Sequence, residues 1–473
     1  MNIISPSITP NIHNLSTSDT KIILGIDIGT SGVRGCIVKK KTCETSVTET
    51  IISEVAIEMP SATKGVDNSI SQDASIWIHS VNQLLIGLAK NFKLDAITHL
   101  VLDATSSTVL LTDQEGSPLS KALMYNDAQS IDHATKISEQ IEISKEFSGA
   151  QGASSTLAKV MTLLEQNKDI SHPVISHQID FINHYLCGAM NITDENNALK
   201  LGYNSIHQAW PSWVKSIIKA KNKNVELPKV VKPGSLLGTI LPDIAKKFGF
   251  KNNLKVMSGT TDSIAGFLAS GATKVGDAVS SLGSTLAIKV ISEKPIFNNK
   301  YGLYSHKLGD FWLVGGASNS GGRVLLDFYT VGELKQLSSK ISAEQIEQYL
   351  KTNPPAFYPL REKGERFPIA DSHLKPIMPN KPTCHFSQVK NSETCLRQHT
   401  LFLLNLLLGI TQIEKLAYSK LSELGVLDIK RIFTVGGGTK NQVWMQLREL
   451  QLNTPLSIAE NPQAAYGVTK LIE

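Results

Sequence analysis

Apolar and polar positions fall into short runs whose period changes repeatedly along the chain. Lys21 to Ile28 is an apolar run ending in Asp27-Ile28-Gly29-Thr30. Val33 to Val38 follows across a glycine-bearing polar tip, the pattern of a β-hairpin. Between positions 73 and 90, Ile76, Val81, Leu84, Leu85 and Leu88 recur at helical spacing. Ile97 to Asp103 predicts another strand, opening into Thr105-Ser106-Ser107-Thr108, and residues 154–166 and 178–187 predict helices. Leu254 to Met257 leads through Ser258-Gly259-Thr260-Thr261-Asp262 into a helix of small residues from Ser263 to Ala269. A second hairpin is predicted from Asp277 to Leu282 and Leu286 to Ile291, with Gly283-Ser284-Thr285 at its tip. Residues 330–395, rich in Pro, Lys and Asn, read as irregular. Arg397 to Leu424 predicts a long helix stopped by Gly425. Arg431 to Val435 predicts a strand that opens into Gly436-Gly437-Gly438, and a helix follows from Asn441 to Leu452. Pro462 to Ile472 predicts the last helix, with proline at its start. Strands and helices alternate throughout, so the fold class is α/β. The tips at Gly29-Thr30-Ser31 and Gly283-Ser284-Thr285 echo each other and suggest two duplicated halves.

Composition narrows the picture. The length of 473 residues suggests two or three domains, and 41% hydrophobic with 19% charged residues excludes a disordered chain. Lys plus Arg less Asp plus Glu is 47 − 42 = +5, and the basic residues are scattered, which argues against a nucleic-acid partner. The longest apolar run, Leu401 to Ile410, is interrupted by Asn405 and falls short of the roughly 20 residues a membrane span needs. The five cysteines, at 36, 43, 187, 384 and 395, show no close pairing and read as reduced thiols of a cytoplasmic protein. Residues 1–20 lack a basic start and a long apolar stretch, so they read as a disordered tail and not a secretory signal.

Three glycine-bearing tips have the makings of a nucleotide site. Gly29-Thr30-Ser31 and Gly283-Ser284-Thr285 offer backbone N–H groups and hydroxyls that can approach phosphate oxygens. Gly436-Gly437-Gly438 precedes a helix whose N-terminus favours a polar or anionic ligand. None fits the pattern G-x-x-x-x-G-K-[ST], and each alone reads equally as a turn. Asp27 and Asp262 stand at strand ends beside such tips. One carboxylate can take a proton from an attacking hydroxyl and another can hold a metal ion. Asp262 could equally cap the helix that follows it. His172 and His177 fit no metal-ligand spacing, and Lys219, Lys221 and Lys223 read as a solvated loop.

Taken together, Gly25-Ile26-Asp27-Ile28-Gly29-Thr30-Ser31, Gly259-Thr260-Thr261-Asp262-Ser263, Leu282-Gly283-Ser284-Thr285, Gly436-Gly437-Gly438-Thr439-Lys440-Asn441 and Ala464-Ala465-Tyr466-Gly467 resemble the FGGY carbohydrate kinases. The resemblance implies two ribonuclease-H-like domains, of the actin and sugar-kinase type, around a cleft. It divides the chain into an N-terminal sugar-binding domain, 21–268 with 462–473, and a C-terminal nucleotide-binding domain, 269–461. It implies ATP and Mg²⁺, with a small-molecule sugar as the other partner. Asp262 would be the catalytic base, with Asp27 near the metal and the sugar. Gly29, Thr30 and Ser31 would face the γ-phosphate, Thr30 also lying on the substrate side. Gly283, Ser284 and Thr285 would face the β- and γ-phosphates, and Gly437, Gly438 and Asn441 would line the adenosine pocket. Ser106 would join Asp27 and Asp262 around the sugar.

The segments from Asp103 to Val109, Gly315 to Gly322 and Tyr358 to Pro368 resemble a short branch found in cyanobacteria and plants. That branch is similar to xylulose kinases and is associated with D-ribulose kinase activity. Two departures stand out. Tyr125-Asn126-Asp127-Ala128-Gln129 replaces the Trp-x-Asp-x-Arg element of xylulose kinases, and Arg448-Glu449 replaces an acidic position after the glycine turn. The expected reaction is phosphorylation of D-ribulose to D-ribulose 5-phosphate, with D-xylulose as the alternative sugar. An actin-like nucleotide-binding scaffold is the alternative of another class. A sugar-kinase-related transcription regulator would need a helix-turn-helix segment, for which the residues before the first strand are too few and too polar.

Overall fold

The computed structural model describes residues 19–472, apart from 44–45, 67–68 and 427. Most of the expectation for residues 1–20 therefore lies outside the described residues, and Asp19 and Thr20 belong to the first strand. Two six-stranded sheets carry the architecture. In the first, Asp19–Ile28, Gly32–Cys43 and Ser46–Glu58 form an antiparallel meander, and His99–Ala104 runs parallel to Asp19–Ile28 on its other side. Lys255–Thr261 adds a second parallel strand, bordered by Leu236–Thr239. The second sheet repeats the plan. Asp277–Leu282, Leu286–Ser292 and Phe311–Ala317 are the antiparallel set, Arg431–Val435 and Leu456–Ile458 are the parallel strands, and Tyr304–Leu308 borders the edge. The duplication suggested by the two hairpin tips is thus present in the strand order itself.

The strands follow from β-branched runs buried on both faces, as in the Ile23, Leu24, Ile26 and Ile28 set. Helices fall where helical spacing predicts them, at Ser75–Ala89, Thr156–Gln166 and Gln178–Cys187. Glu393–Glu423 buries Phe402, Leu403, Leu406 and Leu407 in the second-domain core. The final segment splits into a helical turn, Ala464–Gly467, and a 3₁₀ turn, Val468–Leu471. Val468 and Ile472 pack with Ile23, Val101 and Ala265 of the first half, so the chain's end returns to the first sheet.

Three expectations are corrected. Residues 330–395 are not wholly irregular. Val331–Ser338 and Ala343–Lys351 are helices, each opened by a capping box at Thr330/Glu333 and Ser342/Gln345 that a composition reading overlooks. Lys219 and Lys221 lie in the last turn of the helix Ser212–Lys221, and Lys221 pairs with Glu165 at 3.2 Å. Cys384 and Cys395 are not isolated thiols. They form a disulfide with Cα atoms 6.0 Å apart, because Cys384 packs beside the first turn of the helix that carries Cys395. Cys36, Cys43 and Cys187 are free.

Candidate active site

Strand ends deliver the acidic residues. Asp27 is the penultimate residue of Asp19–Ile28, and it lies in parallel register with Asp103 on His99–Ala104. Asp262 follows Lys255–Thr261, the strand paired to the other side of His99–Ala104. Gly259 makes this strand possible, since a Cβ there would overlap the Leu102 carbonyl oxygen. Three neighbouring parallel strands therefore end together on three aspartates.

Their environments differ. Asp27 is 6% exposed and pairs with Arg34, Nη1 to Oδ2 at 3.2 Å. Burial raises its carboxyl above the ordinary value, and hydrogen bonding with Asp103 and the charge of Arg34 pull the other way. Asp103 is fully buried, and among the described residues no N–H or hydroxyl donor reaches either carboxylate oxygen, which leaves the carboxyl of Asp27 as its partner. Burial first, then the charges of Asp27 and Asp262, push it well above the usual carboxylate range. Burial and Asp27 also raise Asp262. Asp262 is the first residue of the helix Asp262–Ala269, where Thr261 is the N-cap and no side chain caps the turn. Its Oδ1 accepts from the Ser263 N–H at 2.6 Å, which leaves Oδ2 for a ligand. Three carboxyl groups with one paired guanidinium form an oxygen donor set suited to a hard divalent cation such as Mg²⁺.

Asp262 opens onto a cavity of about 890 Å³ between the two halves. Its lining includes Ser106, Tyr125, Lys200, Tyr304 and His306 together with Gly436, Gly437, Thr439, Ile458 and Pro462, and the strands that carry Tyr304 and Ile458 are opposite edges of the second sheet. Of the residues expected at a site, Ser106, Asp262 and Gly437 share this cavity, and the others lie outside its lining. Thr30 and Ser31 are exposed at the first hairpin tip, where the Gly29 N–H donates to Gly32 O at 3.0 Å. Ser284 and Thr285 are exposed at the second tip. Gly436, at φ +93°, brings the glycine turn against Leu282 at the base of the second tip, so those two segments meet. Gly438 packs against Leu282 and Trp444 with no room for a Cβ, whereas a Cβ at Gly437 would stand in open space. Asn441 is spent locally: it caps Gln442–Leu452 by accepting from Trp444 N at 3.0 Å and donates to Ser338 Oγ at 3.0 Å.

The departures acquire physical reasons. Arg448 is fully buried and forms a bidentate pair with Glu414, both contacts at 2.8 Å, under the glycine turn's strand. Asp127 is buried, accepts from Ile70 N at 2.7 Å and from Gln129 Nε2 at 2.8 Å, and so faces inward. Only Tyr125 of that element reaches the cavity. The Gly315 to Gly322 and Tyr358 to Pro368 segments are joined by buried Glu365. It accepts from Ser318 Oγ at 2.5 Å, Asn319 N at 2.8 Å and Tyr358 OH at 2.9 Å. The loop so held donates from Gly322 N to Gly283 O and from Arg323 N to Ser284 O, which braces the second tip. His177, one of the two spaced histidines, is fully buried and pairs with Asp180 at 2.8 Å.

Sequence reasoning missed Arg34, Asp103, Lys200, Lys289 and His306 as site residues. Arg34 and Asp103 could have been found from strand alternation, since each faces Asp27 from a neighbouring strand. Nothing local marks Lys200, Lys289 or His306, which only the packing of the two halves brings into one cavity.

Relatives of known class share this architecture. A xylulose kinase of Bacillus subtilis is 24% identical over 471 residues, covering 95% of this chain and 87% of its own. The solved xylulose kinase from Rhodospirillum rubrum superposes with a TM-score of 0.75 at 18% identity, covering 95% and 89% of the two chains. Plasmodium falciparum glycerol kinase with ADP gives 0.77 at 17%, covering 96% and 89%. The profiles of the N-terminal and C-terminal domains of one family match residues 22–269 and 278–469, one for each sheet with its acidic or glycine-bearing strand ends. The two sheets and the cavity they share therefore belong to a sugar kinase, and the chain is a member of the FGGY family of carbohydrate kinases.

Proposed function

We propose that this sugar kinase transfers a phosphoryl group from ATP to a ketopentose, D-ribulose in the first place, giving D-ribulose 5-phosphate and ADP. The observation that carries the sugar end is Ser106. Its Oγ is buried, has no hydrogen-bond partner among the described residues, and lines the same cavity as Asp262. A buried hydroxyl without a partner costs about 1–3 kcal/mol, which a polyol hydroxyl would recover. Asp262, with Oδ2 free, takes the proton of the attacking hydroxyl. A raised pKa improves its basicity while burial keeps water from competing. Thr30, Ser31, Gly283, Ser284 and Thr285 hold phosphate oxygens, and Gly437 borders the nucleoside. Asp27, held by Arg34, is the residue that would bind Mg²⁺, which when present offsets phosphate charge.

D-Ribulose is preferred to D-xylulose because the element that xylulose kinases use on the sugar side is changed here. Gln129 stands where an arginine is expected, and it is bonded to Asp127. A coupled ADP-release assay across D-ribulose, D-xylulose, pentitols and glycerol tests the reading. Turnover on none of them above the sugar-free rate would leave the nucleotide-binding scaffold as the better account.

A further inference from the structure

The sugar end of the cavity holds more polar capacity than the proposed mechanism uses. Lys289 lies on Leu286–Ser292 of the second half, with its side chain in the cavity. Its Nζ donates to Ser263 O at 2.7 Å, across to the first turn of the helix that begins with Asp262. An ammonium has three donors, and among the described residues this is the one acceptor found for it. His306, on Tyr304–Leu308, one strand further out in the same sheet beyond Phe311–Ala317, is 6% exposed, and its Nδ1 has no partner among the described residues. Lys200 enters the same end from the first half. Two lysines and a histidine therefore converge where Ser106 also lacks a partner, and Asp262 is the carboxylate that faces them. Buried polar atoms without a partner, here Ser106 Oγ and His306 Nδ1, are rare in folded proteins unless a ligand supplies the partner, and the half-buried Lys289 ammonium stands beside them.

We propose that Lys289 is an acceptor-binding residue, whose two remaining N–H groups bind oxygens of the sugar away from the hydroxyl that is phosphorylated, with His306 Nδ1 beside it. This rests on the reading of the Ser106 end as the sugar end. The matching ligand is rich in acceptor oxygens: a keto oxygen with its neighbouring hydroxyl fits two adjacent donors on one nitrogen. Because Lys289 spans from the second half to Ser263, the sugar it binds also bridges the two halves next to Asp262. The groups facing the ammonium are Asp262 and the Ser263 carbonyl from the helix, Lys200 from the first half, and His306 and Tyr304 from the edge strand beyond Phe311–Ala317. Burial lowers the Lys289 ammonium to about 8, with Lys200 acting in the same direction and Asp262 against it. Its charge is therefore mostly present at pH 7 and is lost as pH rises through about 8. His306 is held well below the ordinary histidine value by burial and the two lysines, so it stays neutral across that window.

The test is sugar binding without turnover, by isothermal titration of D-ribulose into the full chain in the absence of nucleotide. Lys289→Met keeps the length of the stem and removes the donors. It is expected to raise the sugar Kd at least tenfold at pH 7 while changing the Kd for ADP less than threefold. In wild type the sugar Kd should rise severalfold between pH 7 and 9.5. Lys289→Arg should flatten that rise, since a guanidinium stays charged. A sugar Kd for Lys289→Met within twofold of wild type, with a thermal midpoint showing that it folds, overturns the assignment. An unfolded Lys289→Met shifts the decision to Lys289→Arg and the pH series, where a wild-type Kd independent of pH overturns it. D-Xylulose and D-gluconate are titrated in parallel. Binding of one of these in place of D-ribulose refutes the substrate reading and leaves Lys289 tested on the sugar that binds, and binding of none refutes both.

Discussion

Asp27 and Asp103 stand opposite each other on adjacent parallel strands, in a register that runs unbroken from Ile23 against His99 to Ile28 against Ala104. Both are buried, and Asp262 joins them from the next strand. Three carboxyl groups this close cannot all be ionised in a low-dielectric site. Asp103 has no partner outside the cluster and its carboxyl is pushed furthest toward the neutral form, whereas Arg34 offsets part of the burial effect at Asp27. The strand order thus gives three identical side chains three environments: a carboxyl pushed toward its neutral form, an ion-paired carboxylate and a carboxylate with a free oxygen.

On the proposed reading, Asp262 is the residue whose loss stops chemistry. Asp262→Asn keeps the size and the contact from Ser263 N but removes the basicity. Loss of a general base typically lowers kcat by about 10²–10⁴-fold. Single-turnover kinetics with saturating sugar checks this, and a variant within fivefold of wild type would assign the proton to another group.

Arg448 and Glu414 predict a stability effect with no counterpart in specificity. Both are fully buried, and Ser280 Oγ donates to Glu414 at 2.5 Å as part of the same network. Arg448→Met strands the Glu414 charge, at about 3–5 kcal/mol, whereas the double replacement with Glu414→Leu should recover much of the loss. Urea denaturation midpoints of the two single variants and the double decide it. A double variant destabilised by the full sum of Arg448→Met and Glu414→Leu alone would mean that the pair is not coupled.

Local chemistry made most strands and helices and the three glycine segments legible, because hydrophobic period and turn residues act over a few positions. The helices at Val331–Ser338 and Ala343–Lys351 were hidden by their composition, although Thr330 with Glu333 and Ser342 with Gln345 announce their starts. Cys384 and Cys395 gave no pairing signal, since 11 residues of loop and helix must fold before the sulfurs meet. Asp262 was readable from its strand end, whereas Ser106 was placed at the site only by the family resemblance. Lys289 and His306 were not, because a cavity wall is a property of two halves packed together.

The glycine turn should separate nucleotide from sugar effects. Gly437 lines the cavity, and a side chain there would project into open space without overlapping protein atoms. Gly437→Val should therefore fold normally and raise the KM for ATP about tenfold or more, with the sugar KM within threefold. Initial-rate matrices in both substrates measure this. Equal changes in both constants would remove Gly437 from the nucleotide side.

The sugar itself is tested through Ser106. D-Ribulose and D-xylulose differ in configuration at C3, so a site that hydrogen-bonds one C3 hydroxyl leaves polar groups unpaired with the other. Each unpaired group costs about 1–3 kcal/mol, and one is worth roughly 10–100-fold in kcat/KM. Wild type should favour D-ribulose by that margin. Ser106→Ala removes the one cavity hydroxyl whose Oγ is buried without a partner, and it should lower kcat/KM for D-ribulose more than for D-xylulose, narrowing the ratio. The KM for ATP should change less than the KM for sugar, because the glycine turn lies at the opposite end of the cavity. Measuring kcat/KM for both pentuloses on both proteins is sufficient. A tenfold wild-type preference for D-xylulose would overturn the substrate assignment, and an unchanged ratio in Ser106→Ala would move the discrimination to Tyr125 or Lys289.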